Sequence, residues 1–164
     1  MIGRANDSRR ALLAIAALIV LLAALCSRYF FQLMLIQGES MAPAYHSWQL
    51  VVLDRQARDW HAGDVVAFRC EGLDAVLVKR VVAGPGDTAQ IVDGALIVNG
   101  ERSRVYGDAV AFDFAGLLSD PVELGTDEYI VIGDNVAESR DSRYPEVGVV
   151  RGESIVGRVM GERR

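Results

Sequence analysis

Lysine is nearly absent from this chain. Of its 17 basic residues one is a lysine, Lys79, and the other 16 are arginine. Cysteine occurs twice, at Cys26 and Cys70, and histidine twice, at His46 and His61. Neither pair has the spacing of a metal site. The cysteines also stand in unlike surroundings, Cys26 closing an apolar run and Cys70 near a strand end, so neither a disulfide nor a metal is expected. Basic blocks are missing too. A net charge of −5 with scattered arginines argues against a nucleic-acid surface. Aromatic residues make up only 7% of the chain, whereas glycine occurs 16 times, which suits a turn-rich β protein better than a helical bundle. The 164 residues are enough for one domain with its own core.

What is present begins with one long apolar run, Ala11 to Cys26, free of charge. Ser27 extends it, Arg28 can snorkel to an interface, and Tyr29, Phe30 and Phe31 follow as an aromatic belt. Arg4, Arg9 and Arg10 precede it, which keeps the N-terminus in the cytoplasm and the remainder outside. The expectation is therefore a cytoplasmic segment 1–10, a transmembrane helix 11–27 and an extracytoplasmic domain 28–164. A cleaved signal peptide would need a small-x-small site before "RYFF", and none is there. Lipoprotein processing at Cys26 is opposed by Leu25.

From residue 30 the pattern turns to β. "FQLMLI", Gln49–Asp54, Asp64–Arg69, Ala75–Ala83, "EYIVI" and "SIVGRVM" read as strands bounded by breakers. Asp93-Gly94 and Asn99-Gly100 are two-residue turn signals for antiparallel hairpins. Residues 104–126 lack periodicity and are expected to form a surface excursion. The fold class is mainly β, antiparallel, behind one membrane helix.

Three segments carry candidate chemistry. Ser40 lies in "QGESMAP", a tight turn after a strand, which can present a hydroxyl and a backbone N–H to a carbonyl. Such serines are common in turns and need a base. His46 is six residues away, but nothing in the sequence orients it. Lys79 sits in the apolar run "VLVKRVV", where burial disfavours the ammonium and lowers its pKa. Strand alternation puts Leu77, Lys79 and Val81 on one face and Val76, Val78, Arg80 and Val82 on the other. The third segment is "GDNVAESRDSRYPEVG", dense in hydrogen-bonding groups, with Ser139, Asp141 and Arg143 in phase. Each segment alone also fits an ordinary turn, a strand-edge lysine or a solvated loop.

Taken in order, "GESMAP", "AGDVVAF", "VLVKRVVAGPGD" and "GDNVAESRDSR…VGRV" closely resemble the boxes of type I signal peptidases, membrane-bound serine proteases with a serine–lysine dyad. The resemblance implies that Ser40 is the nucleophile and Lys79 the general base. It implies further that Ser139 orients the lysine amine, that Asp141 pairs with Arg143, and that Asp134 pairs with Arg80. Ile36, Met41 and Leu77 match positions lining shallow pockets for small side chains. The implied partners are secretory precursors and the lipid bilayer, with no nucleic acid, metal or cofactor. Gly38 stands where some members carry an oxyanion-binding serine, so the hole would rest on the Ser40 N–H. Two other readings remain at this level: a dedicated conjugation- or pilin-type peptidase of the same superfamily, and an inactive membrane-tethered peptide-binding β module.

Overall fold

The computed structural model describes residues 2–107 and 109–161; within its N-terminal helix the side chains of 2–9, 11 and 26–28 lie outside the description. The sequence expectations for Arg4, Arg9, Cys26, Ser27 and Arg28 fall on those side chains. Helix α1 spans Ile2–Phe30 and strand β1, Phe31–Leu35, follows without a linker. The helix thus overruns both ends of the 11–27 segment. Leu12, Leu13, Ile15, Leu18, Ile19 and Leu22 are all exposed on it. Among the described residues no helix is long and apolar enough to cross a membrane.

The remaining strands are β2 (Leu50–Asp54), β3 (Val65–Cys70), β4 (Ala75–Ala83), β5 (Thr88–Val92), β6 (Ala95–Val98), β7 (Glu101–Arg102), β8 (Val122–Glu123), β9 (Glu128–Ile132), β10 (Val150–Arg151) and β11 (Ile155–Val159). Seven form one antiparallel sheet in the order β1-β2-β11-β3-β4-β9-β10, and four form a second in the order β7-β6-β5-β8. The turn signals act as expected. Asp93-Gly94 and Asn99-Gly100 all have positive φ and close the β5–β6 and β6–β7 hairpins.

Alternation on β4 explains how the core is divided. Leu77 and Val81 pack with Trp60, Val66, Phe68 and Val131, while Val78 packs on the other side with Ile36, Met41, Val65 and Ala67. The register of β4 against β9 shifts between Val81 and Ala83. Val82 and Ala83 belong to a third cluster that joins the two sheets. Residues 104–126 are irregular, but they are not a surface excursion. Phe112, Leu118 and Leu124 are buried in that third cluster, against Ile91, Leu96 and Ile130. Single anchoring residues, not a periodic face, carry this segment, so no pattern announced its burial.

β1 and β4 stand four places apart in the sheet, yet Met34, Leu35 and Ile36 line one cleft of about 320 Å³ together with Ala75 to Lys79. The sheet therefore curls. Four antiparallel steps separate the two strands, so they run in the same sense. Among the described residues β1 pairs only with β2, and residues 75–79 of β4 pair only with β3, leaving two open strand edges facing a common slot.

Candidate active site

Ser40 and Lys79 meet at the end of this slot. The turn after β1 is pinned by Gly38 N–H donating to Ser47 Oγ at 3.1 Å and by Trp48 N–H donating to Ile36 O at 2.8 Å. Gly38 has φ +87°, so a glycine is required for that backbone. The Ser40 carbonyl accepts from Asn135 N–H at 3.0 Å, which ties the turn to the segment after β9. The Ser40 amide makes no hydrogen bond among the described residues. It is left as an unpaired donor next to the Ser40 hydroxyl, the kind of group that can meet a developing oxyanion.

Lys79 is 3% exposed, and its Nζ donates to Ser40 Oγ at 2.7 Å and to Val78 O at 3.0 Å. Burial lowers its pKa from 10.5 to about 8, with the carboxylates of Asp141 and Asp134 opposing the shift. Near pH 8 the amine is therefore half neutral, which a base requires. His46 takes no part in this contact. It is exposed, with Nδ1 3.6 Å from Glu39 Oε2.

Two ion pairs flank the lysine. Arg143, 2% exposed, grips Asp141 through Nε and Nη2 at 2.8 and 2.9 Å, and also donates to the carbonyls of Val136 and Ser139 at 2.8 and 3.3 Å. It thereby fixes the loop that carries Ser139. Asp141 in turn accepts from Gly133 N–H at 3.2 Å. Arg80 grips Asp134 through Nε and Nη2 at 2.7 and 2.6 Å and donates to Gly63 O at 2.7 Å. Both planar, two-bond pairings are of the kind arginine makes and lysine cannot.

Ser139 is buried, but among the described residues its Oγ has no hydrogen-bond partner, and the lysine amine is bonded to Ser40 and Val78 instead. Ile36, Met41 and Leu77 all line the slot, joined there by Met34, Ala75 and Val76, which the sequence did not single out. Two further contributors were missed. A Cβ on Gly133 would collide with the Ser139 side chain and the Ser40 carbonyl, so glycine lets the two segments close on each other. A glycine directly after an apolar strand was the available signal. Tyr106 donates its hydroxyl to Ile132 O at 3.2 Å and reaches Asp134 Oδ1 at 3.5 Å. Nothing in the local sequence marked it. Cys70 is a buried thiol that donates to Glu146 O at 3.3 Å.

This arrangement sets a hydroxyl against a buried amine, beside an unpaired backbone donor, at the end of an extended slot. It is the equipment for attack on a peptide carbonyl. Among the described residues no cluster of metal-ligating side chains accompanies it. Residues 9–161 match the family described as signal peptidase, peptidase S26. Signal peptidase I of Bacillus licheniformis is 31% identical over 149 residues, covering 84% of this chain and 79% of its own. Signal peptidase I P of Bacillus subtilis subsp. natto is 33% identical over 149 residues, covering 84% and 80%. A crystal structure of a signal peptidase I from Enterococcus faecalis V583 overlays with a TM-score of 0.48 at 23% identity, covering 61% of this chain and 96% of that one.

Proposed function

The chain belongs to the signal peptidases of peptidase family S26, serine endopeptidases that remove signal peptides from secretory precursors, and from that premise we propose that Ser40 and Lys79 perform the cleavage. The observation that carries this assignment is the 2.7 Å contact between a serine hydroxyl and a lysine amine that is 3% exposed. With the amine neutral, the hydrogen bond runs from Oγ–H to Nζ. Lys79 takes the proton as Oγ attacks the scissile carbonyl, and the Ser40 N–H faces the oxyanion. The amine then protonates the departing nitrogen, and the acyl-serine is hydrolysed by a water that Lys79 deprotonates.

The residues before the cut lie extended between the open edges of β1 and β4, completing the sheet by strand addition. Ile36, Met41 and Leu77 shape the pockets that accept small side chains there. Arg143–Asp141 and Arg80–Asp134 hold the final loop and the lysine strand in register. Ser139 is taken to orient the lysine amine once substrate has settled; its buried Oγ, unpartnered among the described residues, supports this. The slot runs back toward α1, so a signal peptide leaves it on the helix side.

Residues 11–27 act as a membrane anchor in this reading, with the N-terminus cytoplasmic and residues 28–164 outside. Support comes from the uncharged run and from the apolar side chains that α1 exposes along its length. The anchor brings the site to the surface at which signal peptides emerge.

Incubating the purified full chain with a generic secretory precursor, beside its Ser40→Ala variant, tests the assignment. Cleavage by the unmodified chain and none by the variant is the expected outcome. Undiminished cleavage by Ser40→Ala would overturn it. Cleavage of one dedicated precursor and no other would move the protein to the dedicated peptidases.

A further inference from the structure

Met34 and Val76 also line a second cleft of about 960 Å³, which adjoins the slot at these two residues. Four arginines line this cleft, Arg55, Arg58, Arg69 and Arg151, against three glutamates, Glu71, Glu146 and Glu153. Glu146 is committed to Arg140, outside the cleft, at 3.2 Å. Arg58 donates to the carbonyls of Arg55 and Ala57, which holds its guanidinium in place without neutralising it. Four positive charges thus share the cleft with two carboxylates that have no ion pair among the described residues, in a chain whose net charge is −5. Of the four, Arg69 stands at the mouth. It is the cross-strand partner of Val76, and both side chains are exposed; such partners have Cβ atoms about 5 Å apart on one face.

Distance along the slot sets what reaches this cleft. Val76 precedes Lys79 by three residues of strand, about 10 Å. On the reading that the scissile residue sits at Ser40 and Lys79, the fourth residue before the cut lies level with Val76. We infer that the arginine-lined cleft is a subsite for an acidic side chain roughly four to six residues before the cut. The enzyme thereby sorts precursors by the charge of the segment between their apolar stretch and their cleavage site. Coulomb attraction from a partly enclosed basic cleft acts on capture of the substrate, and it weakens as salt rises.

The inference rests on the proposed function, and the test separates the two. Precursor peptides identical except for Glu, Gln or Lys at the fifth position before the cut are given to the full-length chain and to its Arg69→Glu and Ser40→Ala variants. At low salt the unmodified chain is expected to favour Glu over Lys roughly threefold to tenfold in kcat/KM, the preference shrinking with added salt. Arg69→Glu is expected to reverse the ranking. Equal cleavage of the Glu and Lys peptides by the unmodified chain, or a ranking that Arg69→Glu leaves intact, overturns the subsite. So does an unchanged ranking accompanied by weaker binding of Arg69→Glu to anionic phospholipid vesicles, which assigns the arginines to a membrane surface. Cleavage surviving in Ser40→Ala overturns the underlying reading instead.

Discussion

The two halves of β4 are built for opposite purposes. Arg80 is paired on both sides, with Val65 of β3 and Ile132 of β9, and β9 runs alongside as far as Ala83. Ala75 to Lys79 are paired with β3 only and leave an edge open to the slot. The boundary falls between two adjacent cations. Arg80 has its charge met by Asp134 in a two-bond pairing, whereas Lys79 has a serine hydroxyl and a backbone carbonyl. The difference teaches how one strand brings a buried lysine to half neutrality near pH 8. The carboxylates nearest the lysine already belong to arginines, so burial prevails over their attraction.

The severest way to break that contrast is to make the two cations alike. Lys79→Arg keeps a positive charge but cannot deprotonate at working pH, so cleavage is expected to fall by at least ~10³-fold, measured as single-turnover rate on a precursor. Undiminished turnover would refute the base assignment. Asp141→Ala strips the buried Arg143 of its counter-charge. A loss of about 3–5 kcal/mol in unfolding free energy is expected, read from the denaturant midpoint. Arg80→Gln releases Asp134 to act on the lysine. The rising limb of the pH–rate profile, expected near pH 8 in the unmodified enzyme, should then move up by about one unit, costing up to roughly tenfold in rate below the limb. An unmoved limb would mean that Asp134 has no electrostatic hold on the amine. Tyr106→Phe is the gentlest test. It removes one hydroxyl from Ile132 and Asp134 and should cost about 1 kcal/mol of stability, with the limb within a few tenths of its place.

Lys79 also leaves a sign in stability. Its folded pKa lies below the unfolded value of about 10.4, so the unfolded chain holds more protons between roughly pH 8 and 10.4. Over that window this group's contribution to stability rises with pH. Lys79→Met is expected to flatten the corresponding part of a denaturation-versus-pH curve.

Much of this was legible beforehand because it depends on local rules. β4 is bounded as its apolar run suggested, and the Asp-Gly and Asn-Gly turns fall where hairpins close. Lys79 drew notice because a cation in a β-branched run conflicts with its surroundings, and the conflict marked the site. The parts that escaped depend on distant partners. Tyr106 reaches Asp134 across 28 positions, and Leu118 is fully buried without any periodic face. The unpartnered Ser139 hydroxyl depends on how separate segments pack, which no pattern of residue types encodes.

The junction of α1 with β1 has a mechanical meaning. Phe30 ends the helix and Phe31 begins the strand. The end of β2 clamps that joint, with Arg55 N–H on Phe30 O at 2.9 Å and Gln56 Nε2 on Tyr29 O at 3.3 Å. There is no slack. β1 is itself laddered to β2 over its whole length, about 17 Å, so Ser40 is carried at a set height beyond the last helical turn, as the jaw of a caliper is carried on its beam. If α1 anchors the chain as proposed, a precursor presented alongside that helix is gauged as well as cut: only a bond that far from the end of its own apolar stretch comes level with the jaw.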